Sequence, residues 1–207
     1  MVYFLSLFVL AAGSLDRTWS FDADALDKPP AGFYFDTTND RPEGNWRVVQ
    51  DGAARVLAQI DKGRDERRLA LAVVEGVELR QVRLSAKIKI VAGQEEQAGG
   101  IVWRYRNSEN YLVASIDAED KNVRLFRVVD GNRVRFGGID HKKLEINRWY
   151  TLRIEHRGSR IKVYVDGEML FEERDRHFNR AGKIGLWTKA DSVVYFDDLR
   201  VQDLDGD

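Results

Sequence analysis

Apolar and polar positions alternate along most of this chain with a period of two. In Leu79 to Val91, Val82, Leu84, Ala86, Ile88 and Ile90 fall on one side and Arg83, Ser85, Lys87 and Lys89 on the other, the pattern of a strand with one dry and one wet face. Similar runs occupy 99–106, 110–117, 122–129, 149–156, 160–166, 183–188 and 193–201, and Arg17 to Asp22 opens the series. Asp130-Gly131, Gly158-Ser159 and Asp166-Gly167 interrupt them where tight hairpins need positive φ. Helical periodicity is confined to short polar pieces around Asp61 to Arg68 and Arg174 to Asn179. About a dozen strands, no linker and no repeat predict an all-β fold, a two-sheet antiparallel sandwich of jelly-roll type. The domain is expected over 15–203, with 204–207 as an acidic tail whose DLDGD stops short of a full calcium loop.

Residues 1–14, MVYFLSLFVLAAGS, are apolar and end in small residues. They predict a leader for export, or an N-terminal hydrophobic segment, although no basic residue precedes Arg17. The segment is too short to span a bilayer comfortably, so the mature domain is expected to have no membrane span.

Alternation also sorts the candidate chemistry. In 101–106 it sends Ile101, Trp103 and Tyr105 inward and Val102, Arg104 and Arg106 outward. In the next run Leu112, Ala114 and Ile116 are core, so Tyr111, Ser115 and Asp117 share the open face with Arg104, and Arg124 follows from the neighbouring strand. Ile184 and Leu186 turn Trp187 outward beside Lys183 and Lys189. Aromatic rings stack on the C–H faces of sugars, while paired polar groups meet adjacent hydroxyls. Gln59, Arg104, Tyr111, Asp117, Arg124, Trp187 and Lys189 are therefore the candidate saccharide contacts, the alternative being cross-strand ion pairs on a solvated sheet.

Composition narrows the classes. In 207 residues, 33 Lys and Arg balance 34 Asp and Glu, a net charge of -1 that favours neither nucleic acid nor an anionic membrane. The absence of cysteine removes disulfides and thiol chemistry. No G-x-S-x-G, phosphate loop or dinucleotide fingerprint occurs. His141, His156 and His177 lack metal-ligand spacing and read as surface residues. Asp117 and Glu119 are the carboxylates that could serve as acid or base. Their plain alternative is a solvated strand end.

The runs Gly99 to Gly131, Trp149 to Glu172 and Gly182 to Val201, with VYVDG, G-x-I-G-L and FDDLRV, resemble the concanavalin A-like lectin/glucanase superfamily. Within it they are most similar to the bacterial 3-keto-disaccharide hydrolase domains, relatives of family 16 glycoside hydrolases, and to laminin-G-like domains. The resemblance implies a jelly roll whose concave sheet holds carbohydrate. The E-x-D-x-x-E strand of family 16 glucanases is broken here: Glu173 and Asp175 are followed by Phe178. No cofactor is called for, but many superfamily members carry a structural Ca²⁺. By position that points to Asp22 and Asp197, helped by carbonyls near Gly44, or else to acids that cap strands and pair with arginines. The expected function is binding of a glycan or small saccharide. The alternatives are hydrolysis of a 3-keto-disaccharide through Asp117 or Glu119, and a laminin-G-like adhesive module with a protein partner.

Overall fold

The computed structural model describes residues 15–63, 65 and 67–205; the expected leader, 1–14, lies outside them. The strands are β1 (Asp16–Trp19), β2 (Phe33–Thr37), β3 (Trp46–Asp51), β4 (Ala54–Gln59), β5 (Leu69–Val74), β6 (Val82–Ala92), β7 (Ala98–Asn107), β8 (Asn110–Asp117), β9 (Asn122–Val129), β10 (Asn132–Ile139), β11 (Trp149–Arg157), β12 (Arg160–Val165), β13 (Glu168–Arg174), β14 (Lys183–Lys189) and β15 (Val193–Asp203). They form two antiparallel sheets. An eight-stranded sheet runs β13-β12-β11-β6-β15-β4-β3 with β1 beside β15, and a seven-stranded sheet runs β10-β9-β8-β7-β14-β5-β2. The two-sheet jelly-roll expectation holds.

β6 shows why alternation succeeds. Val82, Leu84, Ala86, Ile88 and Ile90 are buried and the residues between them reach solvent. These join Leu152, Ile154, Val163 and Phe196 against Ile101, Trp103, Leu112, Ala114, Ile116, Leu125 and Leu186 of the other sheet. The hairpins form as the turn residues demand: Asp130 and Gly131 have φ of 46 and 74, and Asp166 and Gly167 of 50 and 84, the two positive values of a type I′ turn.

The seven-stranded sheet departs from the wet-outside rule. Leu71, Val73, Val102, Val113, Val128 and Trp187 form a second apolar layer on its outer face, and every residue of β5 is buried. The first five strands carry weaker alternation, and of these only β1 is visible in the sequence.

Five local expectations are corrected. The register of β7 slips against both neighbours, between Trp103 and Asn107 on one side and opposite Lys183 to Gly185 on the other. Arg104, with φ of 53, is the extra residue of this bulge. It is therefore buried with Trp103, its guanidinium bonded to the Arg180 carbonyl, and Tyr105 turns outward into the second apolar layer. His156, expected at the surface, is fully buried because β11 continues past it and keeps it in phase with Leu152 and Ile154. Leu204, expected in the tail, is buried too, and its N–H donates to Gln81 O at 3.0 Å. Neither polar piece, 61–68 or 174–179, is helical among the described residues. The helical element among the described residues is a single 3₁₀ turn elsewhere, Thr38–Asp40 between β2 and β3.

Candidate functional site

Strand register builds the site on the outer face of the seven-stranded sheet. Ala98, Asp117 and Asn122 are direct cross-strand partners, and so are Gly100, Ser115 and Arg124 in the next row. Trp187 of β14 lies opposite Gly100, a position where a Cβ would fall 2.4 Å from the Ala114 carbonyl oxygen of β8. Arg133 reaches over from β10, its guanidinium 4.4 Å from the Phe126 ring centroid and 5.8 Å from that of Trp187. Between these groups lies a polar pocket of about 30 Å³, walled by Glu96, Asp117, Asp120, Asn122, Arg124, Arg133 and Lys189 over Ala98, Ser115, Phe126 and Trp187. Lys189 is ion-paired with Glu96 at its rim.

The electrostatics follow from burial. Asp117 is 6% exposed, and desolvation pushes its carboxyl above the usual carboxylate range, aided by the charges of Asp120 and Glu119 and opposed by the Asp120 N–H that donates to it at 2.9 Å. Desolvation likewise lowers the Arg133 guanidinium. Arg124 bridges Asp120 at 3.2 Å and Asp140 at 3.0 Å. Its Nε and the Nδ2 of Asn122 are buried donors without a protein partner. Such groups cost stability unless something accepts from them.

Of the residues proposed from sequence, Asp117, Arg124, Trp187 and Lys189 are brought together here. Tyr111 is on the same face but fully buried, its hydroxyl 2.9 Å from that of Thr38 and its ring stacked on Tyr105 at 6.1 Å. Trp187 has no exposed surface, so no sugar stacks on it directly. Arg104 faces the opposite way through the bulge. Gln59 is in the other sheet, fully buried and spent on the backbone: Oε1 accepts from Asn45 N and Asp61 N, and Nε2 donates to Asp61 O and Ser192 O. Glu119 is exposed on the turn after β8. The sequence missed Asn122, Phe126 and Arg133. Carrying the face of Asp117 through the turn to β9 would have found the first two, because Asn122 and Phe126 are in phase with Arg124.

The residues proposed for calcium do not assemble a binding set. Desolvation raises the Asp197 carboxyl, and the nearby charges of Asp198 and Asp22 add to this. However, Asp22 accepts from Arg55 N at 3.1 Å, and Lys87 holds Asp198 at 2.7 Å. Gly44 packs on Gln59, at the far end of β4 from Arg55 and about 13 Å along the strand. Among the described residues no group of three or more His, Asp or Glu side chains is placed to hold a metal ion.

The sequence model of the 3-keto-alpha-glucoside-1,2-lyase-like domain matches residues 20–202, nearly the whole sandwich. The chain belongs to this family. The chain is also 28% identical over 101 residues to the levanase of Bacillus subtilis (strain 168), covering 48% of this chain but only 14% of the levanase. Among solved structures, the carbohydrate binding module CBM66 from Bacillus subtilis superposes with a TM-score of 0.65 at 21% identity, covering 81% of this chain and 94% of that one. Domain 4 of AbnA, an extracellular arabinanase of Geobacillus stearothermophilus in complex with arabinotriose, gives 0.54 at 14% identity over 90% of each chain. At these identities the superpositions establish the shared fold. No helix among the described residues is long and apolar enough to cross a membrane.

Proposed function

We propose that the domain binds a saccharide on the outer face of its seven-stranded sheet, over the pocket of Asp117, Asn122 and Arg124. The observation that carries this is the pair of buried, unpartnered donors, Asn122 Nδ2 and Arg124 Nε, flanking a desolvated carboxylate. A carboxylate accepts from two neighbouring hydroxyls, and amide and guanidinium N–H groups donate to their oxygens, which matches a vicinal diol. The pocket holds about 30 Å³, room for one or two water-sized groups. The sugar therefore sits across the rim and sends its hydroxyls in. The chain matches part of a levanase and shares its fold with an arabinanase domain, so levan fragments and arabino-oligosaccharides are the first probes. The expected leader and these relatives support export.

Calorimetric titration of the full chain tests the reading. Asp117→Asn and Asn122→Leu are expected to lower affinity by about tenfold or more, the worth of a hydrogen bond to a charged or buried group, with an unchanged circular dichroism spectrum. Undiminished affinity in both variants, or no binding to any neutral oligosaccharide of the panel, would overturn it.

Family membership favours one second reading, lyase or hydrolase action on a 3-keto-glucoside with Asp117 moving the proton. Burial raises this carboxyl toward the range a general acid or base needs. Release of the aglycone from a 3-keto-disaccharide by the purified chain, abolished by Asp117→Asn, would establish turnover in place of binding alone.

A further inference from the structure

The cations around the pocket differ in what holds them. Arg124 is paired with Asp120 and Asp140, and Lys189 with Glu96. Arg133 lies opposite Val128 of β9, in the row that continues to Tyr111 of β8, and makes no hydrogen bond or ion pair among the described residues. Its guanidinium rests instead over the rings of Phe126 and Trp187, at 4.4 and 5.8 Å from their centroids, and is half-buried. Ring contact holds a guanidinium in place but leaves its five N–H groups to be satisfied, and a cation drawn out of water without an acceptor costs free energy.

The hydrogen-bond balance of the pocket points the same way. Its unmet donors are Asn122 Nδ2, Arg124 Nε and the Arg133 fork. The acceptor that faces them is Asp117, whose Oδ1 already takes the Asp120 N–H at 2.9 Å. A sugar hydroxyl that accepts from one of these donors must still place its own proton, whereas a carboxylate only accepts. The pocket of about 30 Å³ has room for about two oxygen-sized groups, which is the size of one carboxylate.

We propose that the ligand of this pocket is an oligosaccharide carrying one uronic acid, whose carboxylate meets the Arg133 fork while neighbouring ring hydroxyls go to Asp117 and Asn122. This rests on the saccharide reading above and makes Arg133 the residue that selects acidic over neutral sugars. A guanidinium matches a carboxylate with two parallel hydrogen bonds. In a uronic acid the carboxylate is attached beside a hydroxyl-bearing ring carbon, so both groups reach one small site. A polyanion fits poorly, because the carboxylates of Glu96 and Asp120 stand in the pocket wall and repel further negative groups.

Disaccharides ending in glucuronate or galacturonate, each beside its own methyl ester, are titrated calorimetrically against the full chain, with inorganic phosphate as a competitor. The acid is expected to bind about tenfold or more tightly than its ester, the worth of a charge-assisted pair, with a ratio that falls as salt is added. In Arg133→Gln the ratio is expected to drop to about one. Arg133→Lys keeps a cation over the rings but not the fork, and is expected to give an intermediate ratio; should Arg133→Gln fail to fold, an undiminished ratio in Arg133→Lys overturns the proposal. Arg160→Gln removes a cation from the other sheet and is expected to leave the ratio alone. A ratio of about one in the unmodified chain, a ratio retained in Arg133→Gln, an equal fall in Arg160→Gln, or displacement of the acid by equimolar phosphate would each sink the acidic specificity and leave neutral-sugar binding to be judged by itself. Affinities for acid, ester and neutral oligosaccharides that all survive Asp117→Asn and Asn122→Leu would remove the pocket reading, and this inference with it.

Discussion

Trp187 shows what alternation can and cannot say about one side chain. Its phase with Ile184 and Leu186 puts it outside the inter-sheet core, and the structure places it in the outer layer. Its complete burial there depends on neighbours from other strands, among them Arg133, which no local pattern reveals. Trp187→Ala is therefore expected to destabilise the domain by about 3–5 kcal/mol, the range for truncating a buried aromatic, rather than to act on binding alone. Urea denaturation of the variant checks this, and a loss below about 1 kcal/mol would contradict it. Asp117 behaves differently: its face was legible, and its desolvation came from packing by residues distant in sequence.

At the level of elements, the strands with strong alternation and Asp-Gly turns were readable, while the β7 bulge was not. A bulge adds one residue to one strand, so it inverts the facing of all that follows until the strand ends. That is why Arg104 and Tyr105 exchanged places while Trp103, just before the slip, did not. Gly182 makes the irregularity possible. A Cβ at this position would fall 2.5 Å from the carbonyl carbon and 2.7 Å from the Cα of Arg104, and backbone cannot move aside cheaply. Gly182→Ala is expected to destabilise by about 1–3 kcal/mol, read as a lowered denaturation midpoint at unchanged slope. An unchanged midpoint would show that the chain entering β14 accommodates the methyl group.

Across the whole molecule, one hydrogen bond ties the sheets together in their shared interior. The Trp103 indole N–H on β7 donates to His156 Nδ1 on β11 at 2.9 Å. This fixes the imidazole as a neutral acceptor. Desolvation, reinforced by the charge of Arg104 and opposed by that of Asp175, lowers its pKa from 6.5 to about 4. Between those values the unfolded chain binds more protons than the folded one, so stability is fully present above about pH 6.5 and declines as pH falls toward 4, by on the order of 3 kcal/mol. The raised carboxyls of Asp117 and Asp197 act with the opposite sign. The lowered ones, Asp16, Asp140 and Glu145, act at more acid pH. The midpoint of urea unfolding is therefore expected to fall between pH 6.5 and 4, with a slope that flattens in His156→Leu. Equal slopes in the two proteins would assign the acid sensitivity to other groups.

The sequence by itself determined the all-β class, the strong strands, their hairpin turns and the face of the sheet that carries Asp117, Arg124, Trp187 and Lys189. These follow from side chains within a few residues of one another, through period-two alternation and the φ demanded at Asp130-Gly131 and Asp166-Gly167. The tertiary structure alone decided that Arg104 turns inward, that Gln59 serves the backbone, and that His156 is buried. It also set Asn122 and Arg133 around the pocket. Each of these depends on register between strands distant in the chain, and register is fixed only when two sheets close over a common core.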